Sequence, residues 1–160
     1  MEEITENRYV YLKESSLHNK GLFAKKDIPK KAKIIEYIGV KLTKEESDKI
    51  ADRDIEENKK DDSKGAVYLF YLNKKYDLDG NVPWNLTRWA NHSCDANCEV
   101  KIKRGRIWIF AKRAIKKDEE ITYNYGYEYD MNFEQHPCIC GSKKCVGYII
   151  DESYWHKLKK

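Results

Sequence analysis

Eleven consecutive residues, Arg88-Trp89-Ala90-Asn91-His92-Ser93-Cys94-Asp95-Ala96-Asn97-Cys98, carry a cation, an indole, two Asn, a His and two Cys. So many hydrogen-bonding and ligating side chains in one run suit a site better than a connector. Farther on, Cys138-x-Cys140-x4-Cys145 offers three thiols on a short loop, with Gly141 giving the backbone freedom to wrap. A structural zinc site takes four soft ligands in a tetrahedron, so a fourth must come from elsewhere. Cys94, Cys98 and His136 are the candidates. A closed four-thiolate site keeps no open position for water, which makes such a metal architectural. Between these two segments lies Glu119-Glu120-Ile121-Thr122-Tyr123-Asn124-Tyr125-Gly126-Tyr127, a strand-like run with three tyrosines. Tyrosine suits an enclosed polar reaction, because its ring excludes water while its hydroxyl places one directional hydrogen bond.

The elements needed to position these groups are short and mostly β. Strands are expected at Arg8–Glu14, across Leu22-Phe23-Ala24, at Lys33–Val40 and at Ala66–Leu72, the last with Tyr76–Leu78 as hairpin partner. Glu99–Lys103 and Arg106–Phe110 alternate with period two around Arg104-Gly105, the clearest hairpin in the chain. A further strand runs through Ile121–Tyr125, which by alternation would point Tyr123 and Tyr125 the same way. Thr43-x-x-Glu46 has the form of a capping box opening one exposed helix, with Ile50, Ala51 and Ile55 on a common face and a loop over Asn58–Lys64. Asp151–Lys160 reads as a short terminal helix packed on the cysteine loop. Short antiparallel strands interrupted by one helix give a mostly β class built from several small sheets.

At 160 residues the chain is long enough to bury about two-thirds of its unfolded surface as one domain. Five cysteines, three of them within eight residues, favour metal ligation in a reducing compartment over a disulfide framework. No apolar run nears the roughly 20 residues of a membrane span, and Met1-Glu2-Glu3-Ile4 has no signal-peptide character. An intracellular protein without membrane contact is expected. The net charge of +4 arises from mixed acids and bases. A one-signed basic stripe is absent, which argues against direct nucleic-acid binding.

Taken together, the motifs resemble a known family. Asn91-His92-Ser93-Cys94-Asp95-Ala96-Asn97-Cys98 is similar to the Asn-His-Ser-Cys-x-Pro-Asn signature of SET-domain protein lysine methyltransferases. Glu119–Gly126 resembles the second signature, Lys20-Gly21-Leu22-Phe23-Ala24 the N-terminal Gly-x-Gly-Leu-Phe-Ala element, and Cys138–Gly147 the post-SET zinc loop. The motifs fall in family order from about Tyr9 to Ile149. Three departures stand out: Asn19 replaces the first Gly, Ala96 a Pro, and Asp118 a turn Gly. Asn tolerates left-handed backbone better than most residues.

That resemblance implies a SET-domain β-clip with pseudoknot-like threading over residues 8–127, a zinc loop over 134–150 and a tail over 151–160. It implies S-adenosylmethionine as methyl donor, a structural zinc, and a lysine of a histone or another basic protein as acceptor. Methylation would be mono- to di-, and the setting nuclear if the source is eukaryotic, otherwise cytoplasmic or a host cell. Lys20, Gly21 and Leu22 would meet the cofactor through backbone, and Asn91 and His92 would hold its amino-acid and adenine ends. Tyr125 would be the active-site tyrosine, Tyr123 would limit the product state, and Tyr68 would line the place where cofactor and lysine meet. Cys94, Cys138, Cys140 and Cys145 would bind zinc. The competing expectation is a catalytically silent module of the same fold that binds a peptide or partner.

Overall fold

The computed structural model describes residues 3–58 and 68–158. Among these residues, ten strands and one α-helix follow the order β1 (Val10–Glu14), β2 (Lys20–Ala24), β3 (Lys33–Tyr37), β4 (Val40–Thr43), α1 (Lys44–Asn58), β5 (Leu69–Tyr71), β6 (Tyr76–Asp79), β7 (Asn91–His92), β8 (Cys98–Lys103), β9 (Arg106–Ala111) and β10 (Glu120–Tyr123). They form three small sheets, ordered β1-β2-β10-β7, β3-β9-β8 and β4-β6-β5. This is the mostly β class expected. The chain divides into two compact units, one from Met1–Ile4, Glu36–Arg88 and Ile102–Trp108, the other from Thr5–Ile35, Trp89–Lys101 and Ile109–Lys160.

In the first unit, β6 pairs antiparallel with both β4 and β5. The extended run expected over Lys33–Val40 is broken into β3 and β4 at Ile38-Gly39. A side chain at Gly39 would lie 2.1 Å from the Asp79 carbonyl oxygen, so the chain turns where backbone meets backbone. The capping box is present: the Thr43 N–H donates to Glu46 Oε2 (2.8 Å) and the Glu46 N–H to Thr43 Oγ1 (3.3 Å). Glu45 and Glu46 also place negative charge in the first turn of α1, where the helix dipole favours it. Asn58 closes α1, while residues 59–64 of the expected loop and Ala66-Val67 of the expected strand lie outside the described residues. Arg88 pairs with Glu3 at 3.0 Å.

In the second unit, Val10, Leu22, Ala24, Ile28, Ile115, Ile121 and Ile150 are almost wholly buried. Each Val, Leu or Ile side chain among them contributes about 1.5–3 kcal/mol on removal from water. The β1–β2 ladder runs from Val10↔Ala24 to Glu14↔Lys20. The β8–β9 hairpin, whose tip belongs to the first unit, turns at Arg104 (φ 52°) and Gly105 (φ 71°), two consecutive left-handed residues as a type I′ turn requires. The terminal helix is a 3₁₀ segment over Glu152–Lys157, with the Asp151 side chain accepting from the Ser153 N–H. Its side chains meet residues 128–129 and 150: Tyr154 Oη donates to Glu128 (2.8 Å) and the Trp155 indole to the Ile150 carbonyl (3.3 Å). Tyr129 packs between Phe133 and Tyr154, with ring centres 4.8 and 6.3 Å away. Residues 159–160 lie outside the described ones.

Candidate active site

Strand β10 is the element on which the site is assembled. One edge pairs antiparallel with β2 (Glu120↔Phe23, Ile121↔Leu22). The other pairs in parallel with the two-residue β7 (Thr122↔Asn91, Tyr123↔His92). The two signature segments are thus neighbours residue by residue. Asn97, 2% exposed, fixes this arrangement. Its Oδ1 accepts from the Thr122 N–H (3.0 Å), and its Nδ2 donates to the Glu120 carbonyl (2.6 Å) and to Glu119 Oε1 (3.3 Å). A short strand with no periodic pattern is thereby held by side chain as much as by ladder.

On β2, Gly21 and Leu22 are buried and Lys20 is exposed. The preceding Asn19 has φ 39°, the left-handed backbone that Asn adopts more readily than most residues. Asn91 Nδ2 donates to the Lys20 carbonyl (3.0 Å), to Glu120 Oε1 (2.8 Å) and, at 3.5 Å, to the His18 carbonyl. Lys20 extends its ammonium over the Trp89 ring, 5.1 Å from the centroid.

His92 is used internally. Its Nδ1 accepts from the Tyr125 N–H (3.1 Å), which places the proton of the neutral ring on Nε2, 3.7 Å from Cys94 Sγ. Burial pushes its pKa down to about 4. Tyr125 turns its ring inward, 5.3 Å from His92, 5.0 Å from Tyr123 and 5.9 Å from Tyr127. Its hydroxyl donates to the Ala90 carbonyl at 3.0 Å. Strand alternation does not orient it, because β10 ends at Tyr123 and Tyr125 lies beyond the ladder. The hydrogen bonds to His92 and Ala90 hold it instead. Behind it, Asn124 Nδ2 reaches the Ile150 carbonyl (3.2 Å) and the Asp151 N–H donates to the Tyr127 carbonyl (2.9 Å), so the C-terminal segment braces the tyrosine run. Tyr123 is buried, 7% exposed.

The four thiols of Cys94, Cys138, Cys140 and Cys145 lie within 4.8 Å of one another. Cys94 and Cys138 sulfurs are 3.7 Å apart. Two thiolates on one tetrahedral zinc at about 2.3 Å stand about 3.8 Å apart, so this donor set fits zinc by spacing and by chemistry. Gly141 (φ 67°) and Gly147 (φ 89°) permit the turns, and the Cys138 N–H closes the loop on the Gly147 carbonyl (2.9 Å). Burial raises the Cys94 thiol to about 11. At Cys140 the same effect is outweighed, chiefly by backbone N–H groups of Cys94 and Ser142, and the thiol falls to about 7. Of the alternatives for the fourth ligand, Cys98 is a core thiol, 1% exposed, that burial pushes up to about 12. His136 packs edge-on against Tyr127, 5.0 Å between ring centres.

Tyr68 belongs to the first unit. Its carbonyl accepts from the Tyr37 hydroxyl (2.6 Å) and the Gly80 N–H (2.9 Å), and burial raises its phenol above the ordinary value. Three contributors carry roles that the sequence reading left unassigned. Asn97 stood only as a letter in the first signature, Glu120 as a letter in the second, and Ser15 as part of a polar turn. Their partners lie 22–25, 29 and 105 residues away, a separation without a local signal.

The SET domain family profile matches residues 19–126. The chain is 36% identical over 144 residues to histone-lysine N-methyltransferase trr of Drosophila melanogaster, covering 88% of this chain and 6% of that protein. It is 34% identical over 140 residues to an H3 lysine-4 specific histone-lysine N-methyltransferase of Saccharomyces cerevisiae (84% and 12%). Against histone-lysine N-methyltransferase 2D of Homo sapiens the identity is 33% over 144 residues (88% and 2%). The chain therefore spans only a small share of the length of these relatives. Among the described residues, no helix is long and apolar enough to cross a membrane.

Proposed function

The chain belongs to the SET-domain family, and from that premise we propose that it is an S-adenosylmethionine-dependent protein-lysine N-methyltransferase acting on a histone or another basic protein. The single observation that carries the reading is the residue-by-residue pairing of the two signatures on β7 and β10, with Tyr125 hydrogen-bonded to both His92 and Ala90. When bound, S-adenosylmethionine supplies an electrophilic methyl group on a sulfonium. The residues that would hold it are the backbone of Lys20, Gly21 and Leu22 on β2, with Asn91 and His92 on β7, beyond β10 in the same sheet. Asn91 Oδ1 takes no hydrogen bond among the described residues and is an acceptor suited to an ammonium.

The remaining chemistry falls to the protein. A free lysine has a pKa of about 10.4, so presenting its neutral amine at pH 7 costs roughly 4–5 kcal/mol. The clustered rings of Tyr123, Tyr125 and Tyr127 disfavour the ammonium by desolvation. Tyr125 gives its proton to the Ala90 carbonyl, which leaves its oxygen to accept from an amine N–H and so to orient the nitrogen lone pair. His92 is not a base here. Its Nδ1 is occupied by the Tyr125 N–H, and its role is to hold that residue. Tyr123 fills volume that a second or third methyl would need, which supports mono- to dimethylation. Tyr68 is retained as a lining residue for the acceptor on the strength of the resemblance alone. Zinc held by Cys94, Cys138, Cys140 and Cys145 is architectural, since four thiolates leave no position for substrate. A histone acceptor would place the protein on chromatin.

Isothermal titration of the zinc-loaded protein with S-adenosylmethionine tests the reading. One saturable equivalent per chain is expected, weakened by Asn91→Ala. An absence of binding would favour the silent peptide-binding module instead.

A further inference from the structure

The carboxylate of Glu120 joins three separate stretches of the chain. Its Oε1 accepts from Asn91 Nδ2 (2.8 Å) and from the Ser15 hydroxyl (2.8 Å), and its Oε2 lies 2.9 Å from the same hydroxyl. The carboxylate also occupies the space a side chain at position 21 would need. A Cβ on Gly21 would lie 2.3 Å from Glu120 Oε1, 3.0 Å from Glu120 Cδ and 3.0 Å from Ser15 Cβ. Gly21 is therefore bare because Glu120 fills the gap. Every partner of Asn91 Nδ2 is an acceptor: the carbonyls of Lys20 and His18 and the Glu120 carboxylate. Reversing the amide would set Oδ1 against three oxygens and strand the donor. Only one orientation of Asn91 is compatible with this frame, and it directs Oδ1 away from the Glu120 network.

We infer that Glu120 is a positioning residue, locking the Asn91 amide so that Oδ1 faces the ligand and selects cofactors that carry a free α-amino group. A carboxylate suits this task because it accepts and never donates, so it tolerates only the Nδ2 edge of Asn91. Ser15 satisfies the same carboxylate from the other side, which keeps it from turning toward solvent. The inference rests on the reading that Asn91 meets the methyl donor, and it adds what fixes that residue and which ligand group is thereby recognised.

The test pairs two ligands with a short set of variants of the zinc-loaded chain. One ligand is S-adenosylhomocysteine, and the other is its deaminated analogue, with a butanoate in place of the 2-aminobutanoate on sulfur. The unaltered protein should prefer S-adenosylhomocysteine by tenfold or more. Glu120→Ala should lower affinity for S-adenosylhomocysteine by about tenfold, the scale of one hydrogen bond to a charged group, and leave the analogue nearly unchanged. Glu120→Gln keeps an acceptor for Asn91 Nδ2 and can donate to Ser15, so it should restore most of the preference. Should Glu120→Ala fail to fold, Ser15→Ala reads the same ratio and should narrow it in the same direction. Equal losses for both ligands, or an unchanged preference in the folded variants, would overturn the inference. Failure of the unaltered chain to bind S-adenosylhomocysteine would instead count against the methyltransferase reading itself.

Discussion

Replacing Asn97 by Ala removes a side chain that bridges two backbone groups of β10. The Thr122 N–H loses its acceptor at 3.0 Å, and the Glu120 carbonyl loses a donor at 2.6 Å. Thr122 is 7% exposed and Asn97 2%, so water cannot replace these partners without disturbing the packing. An unsatisfied buried donor or acceptor costs about 1–3 kcal/mol. The carbonyl, with a second lone pair to use, falls at the low end and the N–H higher, giving about 3 kcal/mol in all. For a chain of this size about 2–4 °C accompanies each kcal/mol, so the melting temperature should fall by about 6–12 °C. Asn97→Asp should not rescue it. That variant keeps an acceptor for Thr122 but sets a carboxylate oxygen against the Glu120 carbonyl and beside Glu119. Thermal unfolding of the zinc-loaded variants, followed by circular dichroism, is the assay. A shift below about 2 °C for Asn97→Ala, or near-normal stability of Asn97→Asp, would refute the assignment of Asn97 as the clamp on β10.

Three further outcomes are expected. Burial pushes the Glu119 carboxyl up, but hydrogen bonds from Arg113, the Lys116 N–H and Asn97 outweigh it and hold the group below the usual value. A depressed carboxyl contributes stability above the unfolded pKa of about 4 and loses it as pH falls through the folded pKa, so the melting temperatures of the protein and of Glu119→Gln should converge in acid. A gap that stays constant from pH 7 to pH 3 would contradict this. Cys145→Ser should abolish zinc binding measured by atomic absorption, whereas Cys98→Ser should leave about one zinc per chain, because Cys98 stands outside the thiol cluster. Tyr123→Phe should shift the product toward higher methylation in intact-mass analysis of the acceptor, and an unchanged distribution would remove Tyr123 from the product-limiting role.

What could be read from the sequence was local chemistry. Thr43 and Glu46 close a capping box because three residues suffice to define it. Arg104-Gly105 turns the hairpin because both residues accept positive φ. The Cys138–Cys145 loop announces a metal by spacing alone, but spacing leaves Cys94, Cys98 and His136 open as the fourth ligand; the fold brings Cys94 into the thiol cluster, buries Cys98 in the core and stacks His136 on Tyr127. Asn19 and Asp118, standing where the family pattern carries glycine, both adopt left-handed backbone (φ 39° and 66°). Long-range pairing stayed hidden. A parallel pair as short as β7 and β10 leaves no periodic trace. The break at Gly39 is explained only by the Asp79 carbonyl pressing on it, and Tyr125 looked like a strand residue until β10 ended two positions earlier.

Methyl transfer itself is the most direct measurement. The zinc-loaded chain, incubated with methyl-labelled S-adenosylmethionine and a panel of histones and other basic proteins, should label lysine side chains that peptide mapping can locate, and Tyr125→Ala should label none. A panel without labelled lysine, or a Tyr125→Ala variant that transfers as fast as the unaltered chain, would contradict the assignment of these signatures to lysine methylation.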